Sequence, residues 1–223
     1  MALADSRLQR IVTLCVLYFA QGVPYGFMTI TLANYLSSQG LSTDRVGTLT
    51  AVALLPWTFK IIWAPLIDSF QFIGYGRRRP WIVIAQVIMA VTMIGIYIIE
   101  PYLVGENMDI EKSADYLLWV FFAHNVFAVL QDVVSDALAV DILPESEQGS
   151  VNGAMWASKL IGTSGGAAIL ATVMNDYGIR GAVMVQIWIL LAIMLVPLFL
   201  HWLFFCCFFS KISQICPNLA KFC

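Results

Sequence analysis

The chain has 223 residues, of which 60% are hydrophobic and only 12% are charged, and its mean hydropathy is +0.82. Soluble domains carry about 45–50% apolar and about 25% charged residues, so this composition excludes a soluble globular domain and predicts an integral membrane protein embedded in a lipid bilayer. The formal net charge of -2 provides no basic surface, and no nucleic-acid partner is expected.

Six apolar stretches are long enough to cross a bilayer, because a helix needs about 20 apolar residues to span about 30 Å of hydrocarbon. In chain order, the predicted spans are Ile11–Leu36, Val46–Ile67, Trp81–Ile99, Tyr116–Val140, Val151–Met174 and Ala182–Phe205. None of them alternates with a two-residue period, so strands are not expected. The predicted fold is an all-α membrane protein with six transmembrane helices over residues 1–205, followed by a short cysteine-containing tail over residues 206–223.

The distribution of basic residues predicts how these helices are oriented, because Lys and Arg are enriched on the cytoplasmic side of membrane proteins. With both termini inside, the cytoplasmic segments contain more of them than the opposite side: Arg7, Arg10, Arg77, Arg78, Arg79, Lys211 and Lys221 against Arg45, Lys112 and Arg180. We therefore expect a multi-pass protein with cytoplasmic N- and C-termini. A plasma (inner) membrane and an internal membrane are both compatible with this pattern.

Two of the predicted spans contain features that affect helix shape and packing. Pro24 in the first span removes a backbone hydrogen bond and should kink the helix, which makes the nearby Gln21 a candidate for lining a solute pathway. In the fifth span, small residues recur at four-residue spacing, which favours close helix packing. They form two sets, Gly149, Gly153 and Ala157, and Ser158, Gly162 and Gly166.

Ionisable side chains lie inside three predicted spans, although a charge at the bilayer centre costs roughly 2.5–3.5 kcal/mol even on an insertion scale. Lys60, Asp132 and Lys159 each lie about nine residues from the nearest predicted cytoplasmic end. At about 1.5 Å per residue they share one depth near the midplane. Two cations and a carboxylate at one depth can neutralise one another if their helices face a common space, with Asp132 and Lys159 paired and Lys60 across a cavity.

The same polar residues form stripes along their helices. At about 100° per residue, Asn125, Asp132 and Asp136 share one face of the fourth helix, and Trp156 and Lys159 share one face of the fifth. Two interpretations remain open: ion pairs that join helices, or the lining of a substrate or proton pathway, which intramembrane ionisable groups commonly serve. The candidate pathway residues are Gln21, Lys60, Asn125, Asp132, Asp136, Trp156 and Lys159.

The connection between the second and third helices carries a distinctive charge pattern. Asp68 ends the second helix, and Gly76 precedes Arg77, Arg78 and Arg79. The positive-inside tendency explains the arginines but not the preceding carboxylate or the glycine. A carboxylate beside fixed guanidinium groups can form bidentate, charge-assisted bonds that hold helix ends together. These five residues predict a cytoplasmic gate.

This connection resembles the signature loop of the major facilitator superfamily, with Ala64 where that family usually has glycine. Three segments resemble the branch that contains AmpG-type muropeptide permeases and acetyl-coenzyme A transporters: LYFAQGVPYG at 17–26, WAPLID at 63–68 and QDVVSDA at 131–137. The resemblance extends over about residues 10–200. It implies one half of a twelve-helix transporter, built from two inverted three-helix repeats and working by alternating access.

The resemblance implies a transmembrane transporter for a small-molecule solute, with an anionic organic solute expected and a proton as one candidate coupling ion. Because only one half is present, either the chain is a truncated gene product, or a second six-helix half or a second copy completes it. The alternative function is a structural or regulatory membrane subunit that transports nothing.

The sequence offers no sign of enzyme chemistry. It contains no HExxH motif and no nucleophile–base arrangement of the triad type, so the chain is not expected to be an enzyme. Its five cysteines form no CxxC pair and have no histidines at metal-ligand spacing, and four of them lie in the last eighteen residues. No metal site and no cofactor are therefore predicted.

Overall fold

The computed structural model describes residues 7–70, 78–103 and 110–215, without the side chains of residues 79, 101–103 and 196–215. Over these residues the chain is helical apart from short turns, which confirms the predicted all-α fold class. Within them, five helices are long and apolar enough to cross a membrane: Arg7–Ser38, Thr43–Ser69, Pro80–Glu100, Ile110–Ile142 and Glu145–Leu195.

The first four helices are named α1 (Arg7–Ser38), α2 (Thr43–Ser69), α3 (Arg79–Leu103) and α4 (Ile110–Ile142). Two of them are irregular near mid-length. In α1, Pro24 cannot donate a backbone hydrogen bond, and a π-helical stretch over Phe27–Leu32 follows it. In α2, a 3-10 stretch over Leu55–Phe59 contains Pro56 and separates two α-helical parts. The predicted disturbance near Pro24 is present, and the one in α2 is additional.

The last helical segment, Glu145–Ile215, contains two of the predicted spans. It is interrupted at Gly178, whose φ of 68° and ψ of −172° are not helical. A methyl group added to Gly181 would lie only 3.4 Å from the side chain of Val173. Residues eight apart in one straight helix are separated by about 12 Å along the axis, so the chain must reverse at Gly178. This reversal separates α5 (145–177) from α6 (179–215), as the predicted gap between the fifth and sixth spans requires. The count of six membrane spans stays a prediction.

Helices α1 and α5 pack closely because glycines allow their backbones to approach. A methyl group on Gly22 would lie 2.2 Å from the carbonyl oxygen of Lys159, and one on Gly162 would lie 2.4 Å from a backbone oxygen of α1. Small residues at regular spacing permit such an approach. The sequence predicts close helix packing at Gly149 and Gly153 as well. That prediction is wrong in the described structure, because no described atom of another helix lies within 4 Å of a methyl group added to either glycine.

Salt bridges mark the two ends of the helix bundle. At one end, which we call the Arg78 end, Arg78 lies 2.6 Å from Asp68. At the other, which we call the Arg45 end, Arg45 contacts Glu111 at 2.9 Å and Asp115 at 2.5 Å. Each salt bridge joins the end of α2 to a neighbouring helix. Which end faces the cytoplasm stays a prediction from the Lys and Arg distribution.

Candidate functional site

Four charged side chains, which we call the charged cluster, meet between α2, α4 and α5. Lys60 Nζ lies 2.5 Å from Asp132 Oδ2 and 2.9 Å from Asp136 Oδ2. Lys159 Nζ lies 3.1 Å from Asp132 Oδ1, so the predicted pair is present. The prediction that Lys60 lies across a cavity is wrong, because the common depth brings its ammonium into direct contact with both carboxylates. Two ammonium groups and two carboxylates leave the cluster neutral.

The members of the charged cluster differ in burial. The side chains of Asp132 and Lys159 are only 3% and 9% exposed, whereas those of Lys60 and Asp136 are 38% and 42% exposed. A charge taken out of water costs several kcal/mol unless it is well paired, and Asp132 has a lysine on each oxygen. The cluster therefore has a buried half and an accessible half. In the described part of the chain, no acidic, His or Cys residues are grouped to hold a metal ion.

Three aromatic rings, which we call the aromatic cage, surround the ammonium of Lys159. Its Nζ lies 4.5 Å from the ring centroid of Trp57, 5.2 Å from that of Trp156 and 5.7 Å from that of Tyr18. A cation within about 6 Å of an aromatic face is attracted by the ring. Trp156 is a predicted pathway residue, but Tyr18 and Trp57 are not. Tyr18 lies one helical turn before Gln21, and Trp57 lies one helical turn before Lys60. This helical spacing is the sequence signal that could have identified both residues.

Hydrogen bonds connect the charged cluster to α1 and α2. The hydroxyl of Tyr18 donates to Asp136, which therefore has a partner besides Lys60. Trp57 Nε1 donates to Asn125 Oδ1 at 3.1 Å, and Asn125 Nδ2 donates to a backbone carbonyl of its own helix at 2.9 Å. Asn125 thus fixes the indole of Trp57 in the aromatic cage. Both predicted stripes, on α4 and on α5, contribute to one site.

Gln21 is the predicted pathway residue that the structure does not bring into this site. Its side chain is 4% exposed, and its amide atoms have no hydrogen-bond partner among the described residues. The next residue, Gly22, packs against the backbone of Lys159 on α5. Neighbouring residues point about 100° apart on a helix, so Gln21 does not share the direction of that contact. Tyr18, one helical turn before Gln21, is the α1 residue that contacts the charged cluster.

A cavity of about 520 Å³ lies beside the accessible half of the charged cluster. Its wall extends from Tyr18, Asp136 and Trp156 to Leu143 and Gln148 at the turn between α4 and α5. The turn belongs to the Arg78 end of the bundle, so the cavity connects this end with the carboxylate of Asp136. A small organic molecule entering there would meet charged and aromatic groups together.

The Arg78 end carries part of the predicted gate. Arg78 Nη1 donates to Asp68 at 2.6 Å, and Arg78 Nε donates to Asp141 at 2.9 Å. Burial lowers the pKa of Arg78, but these hydrogen bonds outweigh it and raise the pKa above its ordinary value. One guanidinium at the start of α3 therefore joins the ends of α2 and α4, and Asp141 is an addition to the prediction. The other predicted gate positions lie outside the described residues or side chains: Gly76, Arg77 and Arg79.

Comparison with known proteins gives one family match and several relatives. A sequence model of the family described as acetyl-coenzyme A transporter 1 matches residues 10–207. An uncharacterised protein of Haemophilus influenzae is 31% identical over 134 residues, which cover 60% of this chain and 29% of that protein. The anhydromuropeptide permease of Escherichia coli is 27% identical over 137 residues, which cover 61% of this chain and 26% of that protein. An AmpG-type protein of Rickettsia conorii is 26% identical over 175 residues, which cover 75% of this chain and 39% of that protein.

These matches confirm the resemblance that the three sequence segments indicate. The family match includes the whole charged cluster, the aromatic cage and Arg78 with its two carboxylate partners. Together with the apolar helices, it identifies a multi-pass integral membrane protein. The chain spans only about a quarter to two fifths of the length of the curated relatives it matches.

Proposed function

The chain belongs to the acetyl-coenzyme A transporter 1 family, and from this premise we propose that it moves a small-molecule solute across a membrane by alternating access. The observation that carries the proposal is the neutral charged cluster between three membrane helices, beside a cavity of about 520 Å³. Ionisable groups within membrane spans commonly mark substrate or ion routes. The cavity supplies the space that such a route requires.

The proposed solute is an anionic organic molecule. Lys60 offers a partly exposed ammonium. Trp156 lines the cavity, is 52% exposed and presents a flat apolar surface. Acetyl-coenzyme A, which the family description names, combines phosphate groups with an aromatic base and suits such a surface. It is therefore the first solute to test, with an anhydromuropeptide, named in the Escherichia coli relative, as the second.

The proposed coupling ion is a proton carried by Asp136. This carboxylate is 42% exposed and lines the cavity, so it can exchange a proton with water. Its protonation would weaken the bond to Lys60, which joins α4 to α2. Asp132 is less suited to this role, because it is only 3% exposed and has a lysine on each oxygen.

The proposed partner is a second six-helix unit that covers the accessible half of the charged cluster. Lys60, Asp136 and Trp156 are all partly exposed at a depth where lipid would otherwise meet charged groups. The second unit is either a further half of a longer protein or a second copy of this chain. With both termini in the cytoplasm, the Arg78 end of each unit would face the same side.

Uptake by proteoliposomes tests the proposed function. The purified chain is reconstituted, its oligomeric state is measured by native mass spectrometry, and uptake of radiolabelled acetyl-coenzyme A is followed with and without a pH gradient. We expect uptake above that of protein-free vesicles and a faster rate with the gradient. A correctly folded, assembled chain that takes up neither acetyl-coenzyme A nor an anhydromuropeptide would contradict the proposal and favour a non-transporting membrane subunit.

A further inference from the structure

The two lysines of the charged cluster have different surroundings. We propose that Lys60 is the exchangeable ammonium that binds the anionic group of the solute, whereas Lys159 is a fixed counterion that never contacts it. This assignment rests on the proposed function and refines it, because the two lysines are otherwise equivalent candidates. It makes Lys60 the residue that determines specificity for an anionic group.

Lys159 is held in place from every side that the structure describes. Its side chain is 9% exposed, its ammonium bonds to Asp132 at 3.1 Å, and the three rings of the aromatic cage surround it. Its own backbone packs against Gly22. A solute anion could reach this ammonium only by displacing one of these indole or phenol rings. The ammonium of Lys159 is therefore enclosed by protein and cannot bind a solute anion.

Lys60 is placed for exchange. Its side chain is 38% exposed, and one of its two partners, Asp136, lines the cavity. When Lys60 moves, Asp132 keeps the bond to Lys159, and Asp136 keeps the hydrogen bond from Tyr18. Lys60 can therefore turn towards a solute without leaving either carboxylate without a partner.

The exchange has a definite geometry. A carboxylate or phosphate oxygen that enters the cavity beside Trp156 would replace Asp136 at the ammonium of Lys60, with a charge-assisted hydrogen bond of about 2.7–2.9 Å. Because Lys60 directly follows the 3-10 stretch Leu55–Phe59, this exchange would loosen the contact between α2 and α4 at the irregular part of α2. Solute binding is thereby linked to the movement of a helix.

Amine labelling of the full chain in detergent tests the assignment. Reductive methylation with formaldehyde is quantified by mass spectrometry at Lys60, at Lys159 and at the exposed Lys112 of the Arg45 end as a control. We expect Lys60 to react about fourfold faster than Lys159, the ratio of their 38% and 9% side-chain exposures. Acetyl-coenzyme A should at least halve the reaction at Lys60 and leave Lys112 unchanged. Inorganic phosphate as a separate probe shows whether the phosphate group alone suffices for this protection.

Several outcomes would overturn the assignment. These are equal reaction rates at the two lysines, protection of Lys159 in place of Lys60, and no protection of Lys60 by either probe. Protection of Lys60 without uptake by reconstituted wild-type protein would contradict the proposed function but keep the assignment. Uptake without protection would keep transport and contradict the assignment. A Lys60→Gln variant with an unchanged circular dichroism spectrum should no longer bind acetyl-coenzyme A, and tight binding by it would also overturn the assignment.

Discussion

Asp132→Asn tests whether the pair with Lys159 stabilises the bundle. The two groups lie 3.1 Å apart with side chains 3% and 9% exposed. Removing the carboxylate leaves Lys159 buried in the aromatic cage without a countercharge, a loss of about 3–5 kcal/mol. Lys159→Gln should cost less, about 1–3 kcal/mol, because Asp132 keeps Lys60 at 2.5 Å. The double mutant leaves neither charge uncompensated, so it should be more stable than Asp132→Asn alone.

The measurement is a double-mutant cycle on the free energy of unfolding, obtained by SDS titration in mixed micelles and followed by circular dichroism. We expect a coupling energy of about 1–3 kcal/mol for residues in direct contact. The matched control is Arg45 with Asp115, whose side chains are 34% and 53% exposed and should couple by about 0–1 kcal/mol. A coupling for Asp132 and Lys159 no larger than this control would refute the stabilising pair.

Three further predictions concern backbone packing and the Arg78 end. Gly162→Ala should lower the melting temperature, because its methyl group would lie 2.4 Å from a backbone oxygen, whereas Gly165→Ala meets nothing within 4 Å and should be neutral or up to about 1 kcal/mol more stable. Equal melting temperatures for the two variants would contradict the close packing of α1 and α5. Arg78→Lys should slow solute uptake without lowering the amount of folded protein in the membrane, because a lysine ammonium lacks the planar group of donors with which Arg78 bonds two carboxylates. Unchanged uptake would show that Arg78 has no part in the transport cycle. Gly178→Ala should cost about 1–3 kcal/mol in unfolding free energy, because φ of 68° with ψ of −172° is a backbone conformation that essentially only glycine adopts, and wild-type stability would contradict the chain reversal there.

The depth of the charged residues could be predicted from the sequence because the rise of an α-helix is fixed at about 1.5 Å per residue. Counting residues from the helix ends was enough to place Lys60, Asp132 and Lys159 at one level, where they form salt bridges. Counting could not identify Tyr18 as the partner of Asp136, because that contact depends on how α1 packs against α4 and α5. The sequence identifies Trp156 of the aromatic cage, but the contacts of Tyr18 and Trp57 with Lys159 again depend on how the helices pack.

The glycines of α5 show where local pattern stops being informative. Gly149 and Gly162 both belong to sets with four-residue spacing, yet only Gly162 lies against the backbone of α1. The spacing indicates a surface that permits close approach, but not whether another helix occupies it. The chain reverses at Gly178, inside the predicted gap between Met174 and Ala182. The sequence pattern did not indicate that a single glycine with positive φ makes this turn, with helix on both sides of it.

The rate of acetyl-coenzyme A uptake by proteoliposomes that contain Lys60→Gln tests most directly whether the accessible half of the charged cluster serves transport. Wild-type protein and Lys112→Gln, a change at the distant Arg45 end, are the controls. We expect Lys60→Gln to lose most of the uptake while keeping a melting temperature close to that of the wild type, because Asp132 retains Lys159 and Asp136 retains Tyr18. Uptake by folded Lys60→Gln at the rate of both controls would contradict a transport role for the accessible half.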